Sequence, residues 1–321
     1  MKRWLLFLLI GPCFHIFGQE VPDSMAMRKE QTIVTEPATL YKGILRIALG
    51  TELRFLNKRF VDGKKQPIDE NIWGSNIVSF VSAGYGVTER LMLKIVVPYV
   101  RADYYQTPLY LFPTNTNQQY SYPQRWKTQA RGIGDVDLSA GYQIIQENKS
   151  RPAIVASVSA TLPTGRKDVT DDGDDVDHTY DLPTGQGAFA FETALMIRKI
   201  SYPYTCSATV FYIYQSEANK VTGLGEASAN VQNGQTLGAS ASLNVQLSNW
   251  VAFANNLDLL RSGGQTKDGA PAGGAGWLLQ YLPGLSFQLK KLRIDQGMMI
   301  ALKGNNMDAD PAYHLLLQYS F

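Results

Sequence analysis

Read two residues at a time, most of this 321-residue chain falls into segments with one apolar face and one small or polar face. TLGASASLNVQLS shows it most plainly: Leu237, Ala239, Ala241, Leu243, Val245 and Leu247 alternate with Thr236, Gly238, Ser240, Ser242, Asn244 and Gln246. A helix would spread both sets around its circumference, so the period specifies a strand. RPAIVASVSATLP repeats the design with Ile154, Ala156, Val158, Ala160 and Leu162 on one side. In YPYTCSATVFYIY the apolar face runs Tyr202, Tyr204, Cys206, Ala208, Val210, Tyr212, Tyr214. Rings at both ends with smaller residues between them are expected where aromatics occupy the two interfaces of a membrane.

Segments of this kind lie near 42–54, 72–87, 90–104, 132–146, 151–163, 186–198, 201–215, 235–248, 250–262, 275–288, 291–303 and 311–321. The connections alternate in length. VTER, QENKSR, RKISY, LSNW and LKKL are short, whereas 55–71, 105–131, 164–185, 216–234 and 263–274 are long. A bacterial barrel has an even number of strands, short periplasmic turns and longer external loops. The prediction is an all-β chain: a closed antiparallel transmembrane β-barrel of about twelve strands. Asn255 and Gln296 break the pattern by falling on the lipid side, which predicts a bulge or a position near an interface.

The first residues refine the boundaries. MKRWLLFLLIGPCFHIFGQ has two basic residues, a short apolar run and a small residue before a polar stretch, the layout of a secretory signal peptide over 1–19. Residues 20–41 carry mixed charge and no apolar face; they read as a periplasmic lead-in or, alternatively, a lumen plug, with the barrel over 42–321. Charge is sparse and balanced, 30 basic against 28 acidic residues. Loss of Lys2 and Arg3 with the signal makes the remainder neutral, and no basic patch points to nucleic acid. Once Cys13 leaves with the signal, Cys206 has no cysteine partner within the chain.

The face opposite the apolar one holds Ser, Thr, Gly, Asn and Gln with scattered charges: Lys94, Asp135, Asp137, Glu192, Arg198, Asp258, Arg293 and Asp295. Such groups are costly in a dry core but suit a wet lumen. Strand spacing of about 4.8 Å and a tilt of about 40° give a twelve-strand barrel a backbone radius of roughly 12 Å. Side chains would narrow that to a pore for small solutes.

Three stretches, YGVTERLMLKIVVPYV (85–100), GIGDVDLSAGYQI (132–144) and ATLPTGRKD (160–168), resemble in order and spacing the outer-membrane family labelled MetA-pathway of phenol degradation. The resemblance implies an outer-membrane β-barrel, associated by name with aromatic catabolism, that moves small hydrophobic compounds; it implies no catalytic residues. The ending also resembles the signal read by the barrel-assembly machinery, with Phe321, Tyr319, Leu317, Leu315 and Tyr313 at alternate positions.

Candidate chemistry changes this picture little. KDVTDDGDDVDHTYD gathers Asp168, Asp171, Asp172, Asp174, Asp175 and Asp177, a density that suits calcium, although an EF-hand register fails at Thr170 and Thr179; a solvated acidic loop is the other reading. GIGDVD runs into a strand rather than a helix, so its glycines permit a bend and not a phosphate cradle. His178 and His314 have no Ser, Cys or metal-ligand partner at useful spacing, which argues against an enzyme. Two functions remain: passage of small, hydrophobic or aromatic solutes, or a non-conducting barrel whose loops bind a surface ligand or partner.

Overall fold

In the computed structural model, which describes residues 39–68, 72–106, 126–148, 150–171, 180–223 and 226–321, the alternating segments close into one antiparallel barrel. Its strands are β1 (Leu45–Phe55), β2 (Ile72–Gly86), β3 (Leu91–Gln106), β4 in two pieces (Trp126–Ile133 and Val136–Ile145), β5 (Ala153–Leu162) and β6 (Ala190–Ser201). They continue as β7 (Tyr204–Gln215), β8 (Thr236–Gln246), β9 (Val251–Ser262), β10 (Gly276–Leu289), β11 (Leu292–Asn305) and β12 (Ala312–Ser320). Each pairs with its neighbours in sequence. The ring closes where β1 pairs with β12, from Arg46↔Ser320 to Arg54↔Ala312.

Burial is inverted relative to a water-soluble domain. Val158, Val210 and Leu237 are 57%, 54% and 58% exposed, while inward-facing Glu52, Glu192, Arg198, Gln280 and Gln318 are buried. Large apolar side chains outside and charges inside are stable only if the outer face meets hydrocarbon. Tyr85, Tyr202, Tyr204, Trp250 and Tyr319 ring the periplasmic strand ends, and Phe191, Tyr212, Tyr214 and Tyr313 the opposite ones. Polar outward groups satisfy one another: the Thr51 and Ser79 hydroxyls lie 3.2 Å apart, and the Tyr281 hydroxyl donates to Asn255 Oδ1 at 2.5 Å.

Asn255 is therefore accommodated by a partner and not by a bulge, since it keeps regular register between Leu243 and Pro283. Gln296 likewise stands in register, opposite Leu285 and Leu315. The register shift in this wall lies between Leu279 and Gln280. A second difference is in β4, whose first piece occupies the end of the stretch predicted as the long loop 105–131. At Gly134–Asp135 the pairing with β3 slips by one residue, from Tyr99↔Ile133 to Val96↔Asp137. Because a one-residue slip exchanges the faces, Ile133 points outward although Asp137, an even number of positions later on the same period, does not.

At the closing seam the Phe321 N–H donates to Leu45 O at 2.9 Å, and its ring packs edge-on against Tyr319 at 4.8 Å. Tyr313, Leu315, Leu317, Tyr319 and Phe321 all face outward. Deleting Phe321 removes about one hydrogen bond, so equilibrium stability should fall by about 1 kcal/mol or less. If these residues also form the assembly signal, the yield of heat-modifiable barrel in outer membranes falls disproportionately; an unchanged yield would exclude that role.

Candidate passage through the barrel

The interior is not uniformly polar. On its extracellular side, inward residues of β3 and β4 (Val100, Ala102, Tyr104, Ala130) pack with Leu56 and Leu182, and inward residues of β9, β10 and β11 (Leu260, Leu278, Ala301) pack with Phe60, Met307 and Ala309. The expected wet lumen thus begins below an apolar section. Leu56 and Phe60 belong to the connection after β1, which turns into the barrel mouth as a hairpin of Lys58–Val61 and Lys64–Pro67. The hairpin is tied to the last external loop. Phe60 N–H donates to Met307 O at 2.8 Å, Asn306 N–H to Phe60 O at 2.9 Å, and Ala309 N–H to Lys58 O at 3.0 Å. Asp310 accepts from the Asn57 and Lys58 N–H groups, each at 2.6 Å. Beside it, burial raises the pKa of the Asp308 carboxyl, with the guanidiniums of Arg54 and Arg59 opposing the shift.

Asp135 does not line the lumen as a free carboxylate. Its two oxygens accept from Gly165 N–H at 2.9 Å and Gln186 N–H at 2.5 Å, so it joins the two LPTG copies, 162–165 and 182–185. The threonines stitch the same junction. Thr164 Oγ1 donates to Gly134 O and accepts from Val136 N–H, while Thr184 Oγ1 donates to Ile133 O and accepts from Arg166 N–H. A Cβ on Gly185 would come within 2.2 Å of Asp135 Oδ1, and one on Gly165 within 2.8 Å of Gly185 Cα. Glycine is required at both. Arg166 then pairs with Asp181 at 2.7 Å, and Tyr180–Asp181 adds in parallel to the upper piece of β4, placing Leu182 against the apolar wall. The sequence holds Leu-Pro-Thr-Gly twice, and that repeat is the available signal for this junction, although nothing in the strand period says that the two copies meet.

The rest of the wall is polar, its charges in part paired and in part hydrogen-bonded to neutral side chains. Asp137 accepts a short hydrogen bond from Thr161 and lies within the electrostatic reach of Lys94 and Glu192. Asp258 accepts from Gln280 at 3.2 Å. Arg293 pairs with Asp295 at 2.8 Å, and Arg198 with Glu147 at 2.8 Å. On the extracellular half of β1, in the same rows as Val100 and Ala102, Arg54 and Glu52 form a further pair at 3.1 Å. Opposite charges two positions apart on one strand share a face, which is why Glu52 with Arg54 and Arg293 with Asp295 meet. His314 is inward beside Gly297 and within electrostatic reach of Asp295.

At the periplasmic mouth Thr39 and Leu40 are buried rather than trailing away from the barrel. Thr39 Oγ1 donates to Gln143 Oε1 at 3.1 Å, and the Tyr41 carbonyl passes so near Gly86 that a Cβ there would approach it to 1.8 Å. The lead-in therefore ends inside the mouth; residues 20–38 and the signal segment lie outside the described residues. So do Asp172, Asp174, Asp175 and Asp177 of the acidic loop. Asp168 is engaged by the Val221 N–H at 2.8 Å, and among the described residues no cluster of acidic, His or Cys side chains could hold a metal ion.

Residues 71–304 match the family described as "Putative MetA-pathway of phenol degradation". The chain belongs to this family. A search of curated proteins returns no match. Among solved structures, the COG4313 outer membrane channel from Pseudomonas putida F1 is similar at a TM-score of 0.68 and 15% identity, over 88% of this chain and 97% of that one. The translocator domain of the autotransporter NalP from Neisseria meningitidis is similar at 0.46 and 11%, over 88% and 90%. The toluene transporter TbuX from Ralstonia pickettii follows at 0.40 and 11%, over 92% and 93%. This family member is a closed twelve-strand barrel of the outer membrane.

Proposed function

We propose that the barrel passes small solutes across the outer membrane, with apolar and monocyclic aromatic compounds preferred over ions. The observation that carries this reading is the apolar extracellular interior, Val100, Ala102, Ala130 and Leu182 on one wall and Leu260, Leu278 and Ala301 on the other. A pore for ions or sugars has no use for such a section, because each polar solute would lose its hydration there. An apolar solute gains from it at about 25 cal/mol per Å² buried. Below it, Lys94, Asp137, Glu192, Arg198, Asp258, Arg293 and Asp295 form a hydrated, nearly charge-balanced stretch that selects weakly among neutral solutes. The family description associates its members with phenol degradation, which is consistent with this cargo.

The rival is a non-conducting barrel whose loops bind a surface ligand or partner. It draws support from the loop hairpins, which build a four-stranded sheet of Glu217–Lys220, Ala229–Gln232, Gln265–Lys267 and Ala270–Gly273 outside the membrane. Purified barrel reconstituted in liposomes should speed toluene entry over protein-free vesicles and leave glucose entry unchanged. In planar bilayers it should give at most small conductance steps. Equal rates for toluene with and without protein would favour the rival.

A further inference from the structure

We infer that the wall pocket holding the Phe60 ring is a binding site for a neutral monocyclic aromatic solute, and that Phe60 occupies it as an internal stand-in. The inference rests on the passage proposed above for its role, but not for the site itself. Phe60 is 1% exposed, among the most buried large side chains of the described residues, yet it is carried by a hairpin whose other strand, Lys64–Pro67, is exposed throughout. Its ring packs on Leu260, Leu278, Ala301 and Met307, and close to Gly304, where a Cβ would come within 2.9 Å of it. Lys65, its cross-strand partner, covers the ring with its ammonium 5.6 Å from the centroid.

A two-stranded hairpin is at best marginally stable alone. This one is held in the mouth by backbone bonds to residues 306–309, with Arg59 bridged to Asp308, by Asp310, by Asn305 Oδ1, which accepts from the Asp62 N–H at 3.0 Å, and by burial of the ring itself. When the hairpin leaves, it takes Lys65 with it and exposes on the inner wall a pocket of phenyl size, lined by aliphatic and thioether groups. Apolar cavities of that kind stay dry and accept benzene-like molecules. Charged or strongly hydrated molecules find no polar partner among these side chains. A solute that fills the pocket thereby competes with Phe60 and favours the displaced hairpin, since a ligand shifts a conformational equilibrium by its differential affinity.

The test uses full-length barrel carrying Cys206→Ser. Fluorobenzene binding is followed by ¹⁹F NMR in detergent, with toluene as competitor, and folding of each variant is checked by heat modifiability. Phe60→Ala should bind fluorobenzene at least about tenfold more tightly than the parent, and Phe60→Leu to an intermediate extent. Arg59 and Asp308 face each other as an antiparallel bridge pair, a separation a disulfide can span. The oxidised Arg59→Cys/Asp308→Cys protein should neither bind fluorobenzene nor speed toluene entry into liposomes, and reductant should restore both. Binding by Phe60→Ala no tighter than the parent's, or equal binding by the oxidised and reduced double variant, overturns the site. A parent that passes no toluene while Phe60→Ala binds tightly sinks the proposed passage and supports the site.

Discussion

Replacing Val210 with arginine is expected to destabilise the folded barrel by about 2–4 kcal/mol in lipid, whereas arginine at Thr209 should cost about 1 kcal/mol or less. The two positions are adjacent, pair with the same neighbouring strands and differ only in face. Val210 lies outward, 54% exposed, between the aromatic borders set by Tyr204 and Tyr214. It pairs with Leu195 and Ala239, so no polar neighbour is available to a guanidinium. Thr209 lies inward, paired with Met196 and Ser240. Urea titration of barrels folded into vesicles, followed by tryptophan fluorescence and gel mobility, measures both. Equal destabilisation at the two sites would mean that this wall is not lipid-facing.

That contrast could be read from the sequence because period two is a direct record of which face meets lipid. It survives wherever a strand stays in register, and β7 and β8 do so for their whole length. The same rule fails at Gly134–Asp135, where the slip reverses the faces of β4 and no periodicity can announce it. The apolar section of the interior was hidden for a related reason. Val100, Ala102 and Ala130 stand on the inward face of β3 and β4, where a strand that is apolar on both sides looks like a weaker alternation and not like a second core. Phe60 and Leu182 complete that core from connections with no strand period at all. Their contacts join residues far apart in the chain, Leu182 with Val100, Ala102 and Ala130, and Phe60 with Leu260, Leu278 and Ala301, and such pairing is specified by the closed barrel as a whole.

The individual charges show the same division. Glu52 with Arg54 and Arg293 with Asp295 sit two apart on one strand, so the sequence places each pair on one face. Arg198 and Glu147 come from β6 and the turn before β5, and Asp135, at the break in β4, meets both its partners in the long connection between β5 and β6. An inward position therefore identifies a candidate for the lumen, but whether that side chain faces the solute or is consumed in holding a loop depends on what the loops bring to it.

Asp135 is the residue where this difference has the largest expected consequence. Its carboxylate accepts from two backbone N–H groups, and hydrogen bonds to a charged group contribute about 1.5–3 kcal/mol each. Asp135→Ala should therefore weaken the junction by about 3–6 kcal/mol, and Asp135→Asn, which keeps one acceptor, by about half as much. Because β5 and β6 pair along their own length below it, the loss should be local. Amide exchange at Gly165 and Gln186 should speed by at least about a hundredfold, at about 1.4 kcal/mol per factor of ten, while amides of β7 and β8 stay protected. Gly185→Ala should reproduce the effect with the carboxylate intact, since its Cβ would displace Asp135 Oδ1. Both variants also release Leu182 from Val100, Ala102 and Ala130, which opens the apolar section to water. Ion conductance should rise in each, and unchanged amide exchange at Gly165 and Gln186 in both variants would show that Asp135 does not hold the loops.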